Sequence, residues 1–211
     1  EKLKNSISTL ESTIPKSDIR ENAISKLKIR ISEIKNLRNS ISISKLLGIE
    51  GQCARVYFSC WQGLPLNWEG ARRKPIPPSW GGFSTRTMGW RKRSRAARHP
   101  VNSMLNYGYG ILEHKIQTNI LARGFDPSIG IVHGNRENRI PFVYDLMEPL
   151  RPTVDLIVSD FIKRNAFSPS DFSINKWGGC RLCPQMASRL TESLIAVLVE
   201  NITSSFSKFL L

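Results

Sequence analysis

Acidic residues are scarce in this sequence. Asp and Glu number 17 against 31 Lys and Arg in 211 residues, a formal net charge of +14. From Gly70 to Leu112 there is no Asp or Glu at all. Such an imbalance favours a polyanion as partner, nucleic acid first and an acidic membrane surface second. Long apolar runs are also missing. The run "LIAVLV" stops at Glu200 and Asn201, far short of the ~20 residues that a membrane span needs, so no membrane partner is expected. Cysteine is sparse: four residues give no disulfide framework for a chain of this size. A reducing compartment follows, read as the cytoplasm. No signal-peptide pattern opens the chain. The first residue is Glu and not Met, which is read as upstream sequence missing or processed. What is present is a 40% hydrophobic share, enough for a globular chain with one sizeable core or two small ones.

Residues 1–40 have helical period. Leu3, Ile7, Leu10 and Ile14 fall on one face, and so do Ile24, Leu27, Ile31 and Ile34. Pro15 separates the two stretches, with Ser17 or Asp18 as the next N-cap. A helical hairpin packed on the main core is the plain reading; a coiled-coil interface is the sharper one. Residues 42–62 form the next helical candidate, with Leu46, Ile49, Cys53, Val56, Tyr57 and Cys60 as its stripe. Glu50 lies beside that stripe. Gly48 and Gly51 flank it, each costing roughly 1 kcal/mol of helix propensity, which suggests either close approach by another group or a packing need.

Residues 63–98 read as loop, with Pro65, Pro75, Pro77, Pro78 and the pair Gly81-Gly82. The acid-free stretch here holds Arg86, Arg91, Lys92, Arg93, Arg95 and Arg98, interleaved with Trp80, Phe83 and Trp90. Arginine pairs phosphate through two N–H groups and aromatic rings stack on unpaired bases, so nucleic-acid contact is expected. Residues 100–123 form a strong helix with Pro100 in its first turn. Val101, Leu105, Tyr109, Leu112, Ile116, Ile120 and Leu121 make its core stripe, and Gly124 its C-terminal stop. Asn102 and Asn106, one turn apart, are read as surface residues or as contacts to a phosphate backbone. A last helix covers about 185–209, with Leu190, Leu194, Val197, Leu198 and Ile202 inward.

Three separated places carry ligand-type side chains: Glu50 between glycines, His133 at the end of an apolar segment, and Asp145 with Glu148 in "YDLMEPLRP". One imidazole with two or three carboxylates suits Mg²⁺ or Mn²⁺, an ion that polarises a phosphodiester. The plain alternatives are a core histidine, and two acids that cap a helix starting near Pro149. Pro149 and Pro152 are expected to resist a continuous helix through this run. Arg151 is placed to pair with one of the acids or with a phosphate. Cys180 and Cys183 form a CxxC, but Cys53 and Cys60 make a poor second pair of zinc ligands. Reduced, partly buried thiols are the better reading.

Several motifs occur here in order: "GIEG", "ARVYF", "HPVNSMLNYGYGILE", "LARGFDPSIGIVHG" and "YDLMEPLRPTVDLIV". As an ordered set they resemble the CRISPR-associated endonuclease/integrase family of spacer acquisition, from about Lys45 to Asp160 and more weakly beyond. The resemblance implies a mainly α, multi-helical catalytic domain. It implies Glu50, His133 and Glu148 as metal ligands, Asp145 as a supporting acid, and Mg²⁺ or Mn²⁺ as the ion. It implies action on double-stranded DNA, both prespacer and CRISPR repeat, by attack of a 3′-hydroxyl on a phosphodiester. It also implies a homodimer bridged by a small CRISPR-associated protein of ferredoxin-like fold. Members normally begin with a β-rich domain, whereas residues 1–40 here have helical period. The expected organisation is therefore a helical N-terminal segment, 1–40, and a helical catalytic domain, 41–211, without the usual β-rich domain. Alternatives are a casposase-like transposon integrase and a non-catalytic helical nucleic-acid-binding module.

Overall fold

Apolar residues at helical spacing build most of the chain. A computed structural model describes residues 1–37, 42–70, 72, 74–83, 97–130 and 140–209, apart from the side chains of 37 and 207–209. Its helices are α1 (Lys2–Thr13), α2 (Asp18–Leu37), α3 (Ile43–Ser59), α4 (Pro100–Ala122), α5 (Pro141–Met147), α6 (Arg151–Arg164) and α7 (Pro184–Phe209). The class is mainly α, as expected. Ser17 caps α2, its hydroxyl accepting from Arg20 N at 3.3 Å. Ser42 caps α3 in the same way through Lys45 N. Pro100 and Pro184 open their helices, where a missing N–H costs nothing.

The packing order runs α2 on α3, α1 on α6, and α4 against α5, α6 and α7. Leu10 of α1, Leu105 and Leu112 of α4, Val154 of α6, and Leu190 and Leu194 of α7 are all fully buried. The plain reading of residues 1–40 therefore holds for α1: it packs on the main core. Two residues assigned inward are not. Leu121 is 55% exposed and Val197 39% exposed, because each sits at the edge of its helix's apolar stripe.

Short strands occur among the described residues, one in the stretch read as loop and three between residues 166 and 182. β1 (Asn67–Trp68) pairs in parallel with β2 (Ala166–Phe167), and β3 (Phe172–Ile174) pairs antiparallel with β4 (Cys180–Leu182). Aromatic rings fill the space beside them. Trp68 and Trp80 stack at 5.9 Å between centroids, with Phe167 and Phe172 edge-on. The Trp80 indole N–H donates to the Arg98 carbonyl at 2.9 Å. Trp80 and Phe83 are thus 3% and 2% exposed. This corrects the expectation that they stack on bases: their rings are core. Trp90 lies outside the described residues.

Pro149 and Pro152 interrupt the α-helix, as expected: α5 ends at Met147 and α6 begins only at Arg151. Each falls in the first turn of a new segment, a 3₁₀ turn over Glu148–Leu150 and then α6. Backbone angles at Met147, Glu148 and Arg151 stay helical. Glu148 stands at this 3₁₀ joint between α5 and α6. α1 is fixed to this joint by side chains. Asn5 Nδ2 donates to the Pro149 carbonyl at 3.0 Å, and Thr9 Oγ1 to the Pro152 carbonyl at 3.2 Å.

Candidate active site

Glu50 projects from the middle of α3, where Ile49, Cys53 and Tyr57 are buried and set the helix's rotation. Glu148 projects from the joint between α5 and α6. The two carboxylates, far apart in sequence, converge on one cation: the Lys2 ammonium contacts both Glu50 Oε1 and Glu148 Oε2. Lys2 is the first residue of α1, so the bonds from Asn5 and Thr9 to the joint bring its side chain to the acids. Arg151 Nε lies 3.0 Å from the other oxygen of Glu148, Oε1. The N–H has no aligned acceptor, so this is an ion pair and not a hydrogen bond. The structure thus places Arg151 on an acid, one of the two partners left open by its sequence.

Two cavities meet here. The inner one, about 280 Å³, is lined by Lys2, Glu50, Tyr57, Tyr109, Glu148 and Asp155, among others. The outer groove, about 430 Å³, shares Lys2, Glu50 and Glu148 and adds Asp145. Asp145 is one helical turn before Glu148 and so joins the same wall. Glu50, Asp145 and Glu148 are therefore brought together. His133 lies outside the described residues. Residues 125–127 are tied to α5: Phe142 N donates to the Pro127 carbonyl at 3.2 Å, and the Phe125 and Phe142 rings meet edge-on.

Below the acids is a layer that the sequence did not reveal. Asp155, 3% exposed, accepts a hydrogen bond from the Tyr109 hydroxyl. The Arg151 guanidinium lies over the Tyr109 ring, 5.0 Å from its centroid. Burial, and next the charge of Asp155, holds the Tyr57 hydroxyl well above the usual phenol range. Asp155 carries a signal in hindsight: it is a lone acid inside the apolar "TVDLIV", one turn beyond Arg151. Lys2 carries none.

Other expectations are placed as follows. Asn106 is exposed on α4, but Asn102 is 3% exposed and faces the core. Arg98 is half-buried. Arg86, Arg91, Lys92, Arg93 and Arg95 lie outside the described residues. Gly48 and Gly51 have open space where a Cβ would stand, so no described part of this chain makes the close approach their presence suggested. Cys180 is buried and Cys183 half-buried, both as free thiols, like Cys53 and Cys60. Burial pushes the Cys180 thiol up to about 12. No helix among the described residues is long and apolar enough to cross a membrane.

A divalent ion fits the donor set at the acids. Two carboxylate oxygens aimed at one point, already holding an ammonium, are hard ligands of the kind that Mg²⁺ and Mn²⁺ take. Among the described residues, no group of three or more His, Cys, Asp and Glu is close enough to hold a metal ion. Glu50 and Glu148 supply two donors, and a third has to come from elsewhere.

Known proteins resemble this chain in sequence and in fold. A Cas4 exonuclease/Cas1 endonuclease fusion from Leptospira interrogans is 33% identical over 79% of this chain, which spans 28% of that protein. A Cas1 endonuclease from Methanospirillum hungatei is 32% identical over 67% of this chain, which spans 38% of it. Among solved structures, a casposase bound to its integration product superposes with a TM-score of 0.65 at 28% identity, covering 92% of this chain and 50% of the other. A Cas1 protein from Thermotoga maritima superposes at 0.70 over 99% of this chain and 60% of its own, with 18% identity, a likeness of fold. The chain thus spans less than two thirds of each of these proteins. The family described as CRISPR associated protein Cas1 matches residues 1–195, so the acids gathered by α1, α3 and the α5–α6 joint stand in a chain that belongs to the Cas1 family.

Proposed function

We propose that this chain carries the catalytic centre of a metal-dependent DNA endonuclease/integrase that inserts spacer DNA into a CRISPR array. The observation that carries the reading is the convergence of Glu50 and Glu148 on one cation position in a chain of the Cas1 family. Glu50 and Glu148 would hold Mg²⁺ or Mn²⁺ with His133 as the third ligand, and Asp145 would support them from the groove wall. The bound ion supplies Lewis-acid stabilisation of the phosphodiester and lowers the pKa of the attacking 3′-hydroxyl. The chain's own residues do the rest. Arg151, lying against the Tyr109 ring, keeps Glu148 oriented. The open groove beside the acids admits the DNA strand. Arg86, Arg91, Lys92, Arg93, Arg95, Arg98 and Asn106 would hold the phosphate backbone, with affinity falling steeply as salt rises; Asn102 would need a change of packing to join them. The partners are prespacer and repeat DNA, a second copy of the chain, and a small ferredoxin-fold protein. Two solved structures of similar fold are Cas6-RT-Cas1–Cas2 complexes.

The test is strand transfer of a labelled short duplex into a repeat-bearing plasmid with Mn²⁺. Glu50→Ala and Glu148→Ala are expected to lose about a hundredfold or more, since the ion's charge stabilisation amounts to several kcal/mol. Full activity in either variant overturns the assignment. DNA binding that is indifferent to metal, with no transfer, would favour a non-catalytic binding module. A casposase-like transposon integrase is the second reading, favoured by the 28% identity to a casposase bound to its integration product. Transfer directed by terminal inverted repeats, in place of a CRISPR repeat, distinguishes it.

A further inference from the structure

The acid pair holds a cation that belongs to the chain itself. We propose that the Lys2 ammonium and the divalent ion are alternative occupants of one position between Glu50 and Glu148, so that the ion enters only as Lys2 leaves. This rests on the proposed metal-dependent function.

The geometry leaves little room for both. An ammonium bonded to carboxylate oxygens sits about 2.7–2.9 Å from them. A Mg²⁺ ion sits about 2.0–2.1 Å from its oxygens. Lys2 already occupies Oε1 of Glu50 and Oε2 of Glu148, so an ion that these two carboxylates were to hold would stand against its ammonium and repel it. Glu148 cannot offer its second oxygen freely, because Arg151 stands 3.0 Å from it. One of the two chain cations must therefore yield, and their surroundings decide which. Arg151 is held at the start of α6 with its guanidinium over the Tyr109 ring. Lys2 has a flexible four-carbon stem, a side chain 25% exposed, and a place in the shared wall of both cavities. It has somewhere to go.

The measurement is Mn²⁺ affinity of the full chain, read from loss of the free-ion electron paramagnetic resonance signal and from the rise in Tm on adding Mn²⁺. Lys2→Met keeps the stem and removes the charge. It is expected to bind Mn²⁺ roughly tenfold more tightly than wild type, since two partly exposed ion pairs no longer compete. Its Tm is expected to be lower in chelator and to rise more with Mn²⁺. Lys2→Arg retains a competing cation and should not tighten binding; it serves if Lys2→Met fails to fold, with Lys2→Gln as the neutral counterpart. If wild type binds Mn²⁺ through Glu50 and Glu148 but removing the Lys2 charge leaves affinity equal or weaker, the exchange is wrong and the metal site stands. If wild type and variants all fail to bind Mn²⁺, both fall together.

Discussion

Gly108 of α4 packs tightly against α6, and replacing it with Ala tests how the site is held. A Cβ there would stand 2.7 Å from Val154 Cγ1, and 3.5 and 3.6 Å from the Leu194 methyls. Carbon atoms prefer about 3.5–4.0 Å, so Val154 would have to retreat by about 1 Å. Val154 is fully buried, and a valine in a helix has nearly one allowed rotamer. Relief must come from shifting α6 itself. Overpacking of this kind costs about 1–3 kcal/mol, and a rigid neighbour puts it near the top of that range. Ala gains about 1 kcal/mol over Gly in helix propensity. The expected net is about 1–2 kcal/mol of lost stability, read as a lower urea midpoint at unchanged slope. In a Val154→Ala background the clash is gone, and Gly108→Ala should become neutral or stabilise by about 1 kcal/mol. α6 carries Arg151 and Asp155, so the single variant should also lose strand transfer at temperatures where it is folded. Equal or greater stability of Gly108→Ala in the wild-type background, or the same effect in both backgrounds, would refute the reasoning.

His99 caps α4, its Nδ1 accepting from Val101 N at 3.2 Å, and burial lowers its pKa to about 4. The folded state therefore prefers the neutral ring. Its contribution is present above the unfolded pKa of about 6.5 and is lost as pH falls toward 4. Between pH 6.5 and 5 the loss should be about 1.5 kcal/mol. His99→Asn keeps a capping side chain and should flatten this part of the stability–pH curve; an unchanged slope in that window would count against the assignment. Leu10 is fully buried where α1 meets the core, and Leu10→Ala should cost about 2–5 kcal/mol in chemical unfolding. A loss below 1 kcal/mol would mean that α1 is not packed as described.

Much of the architecture was legible from local pattern. α1, α2, α4 and α7 follow from apolar residues repeating within a single segment, because one helical face must be buried whatever it packs against. Pattern failed where burial is decided by distant partners. Trp80 and Phe83, set among prolines and arginines, looked solvent-facing; they are buried by Trp68, Phe172 and His99. The strands are too short to alternate, and β1 exists only because residues near 166 come alongside. Asn102 and Asn106 look alike in sequence and stand one turn apart on α4, yet one is buried and the other exposed, a difference that local pattern does not carry.

The candidate site divides in the same way. The sequence by itself determined the kinds of group available: a basic chain, an acid between glycines, an acid before a proline, and an ordered set of motifs with a family resemblance. Those are properties of composition and local order, and they persist in any conformation. Only the tertiary structure decided that Glu50 and Glu148 share one cation, that Arg151 faces Glu148, that Tyr109 and Asp155 lie beneath them, and that Lys2 from the start of α1 stands between the acids. Electrostatic contacts depend on distance in space, and that distance was set by α1 bonding to the proline-interrupted joint through Asn5 and Thr9.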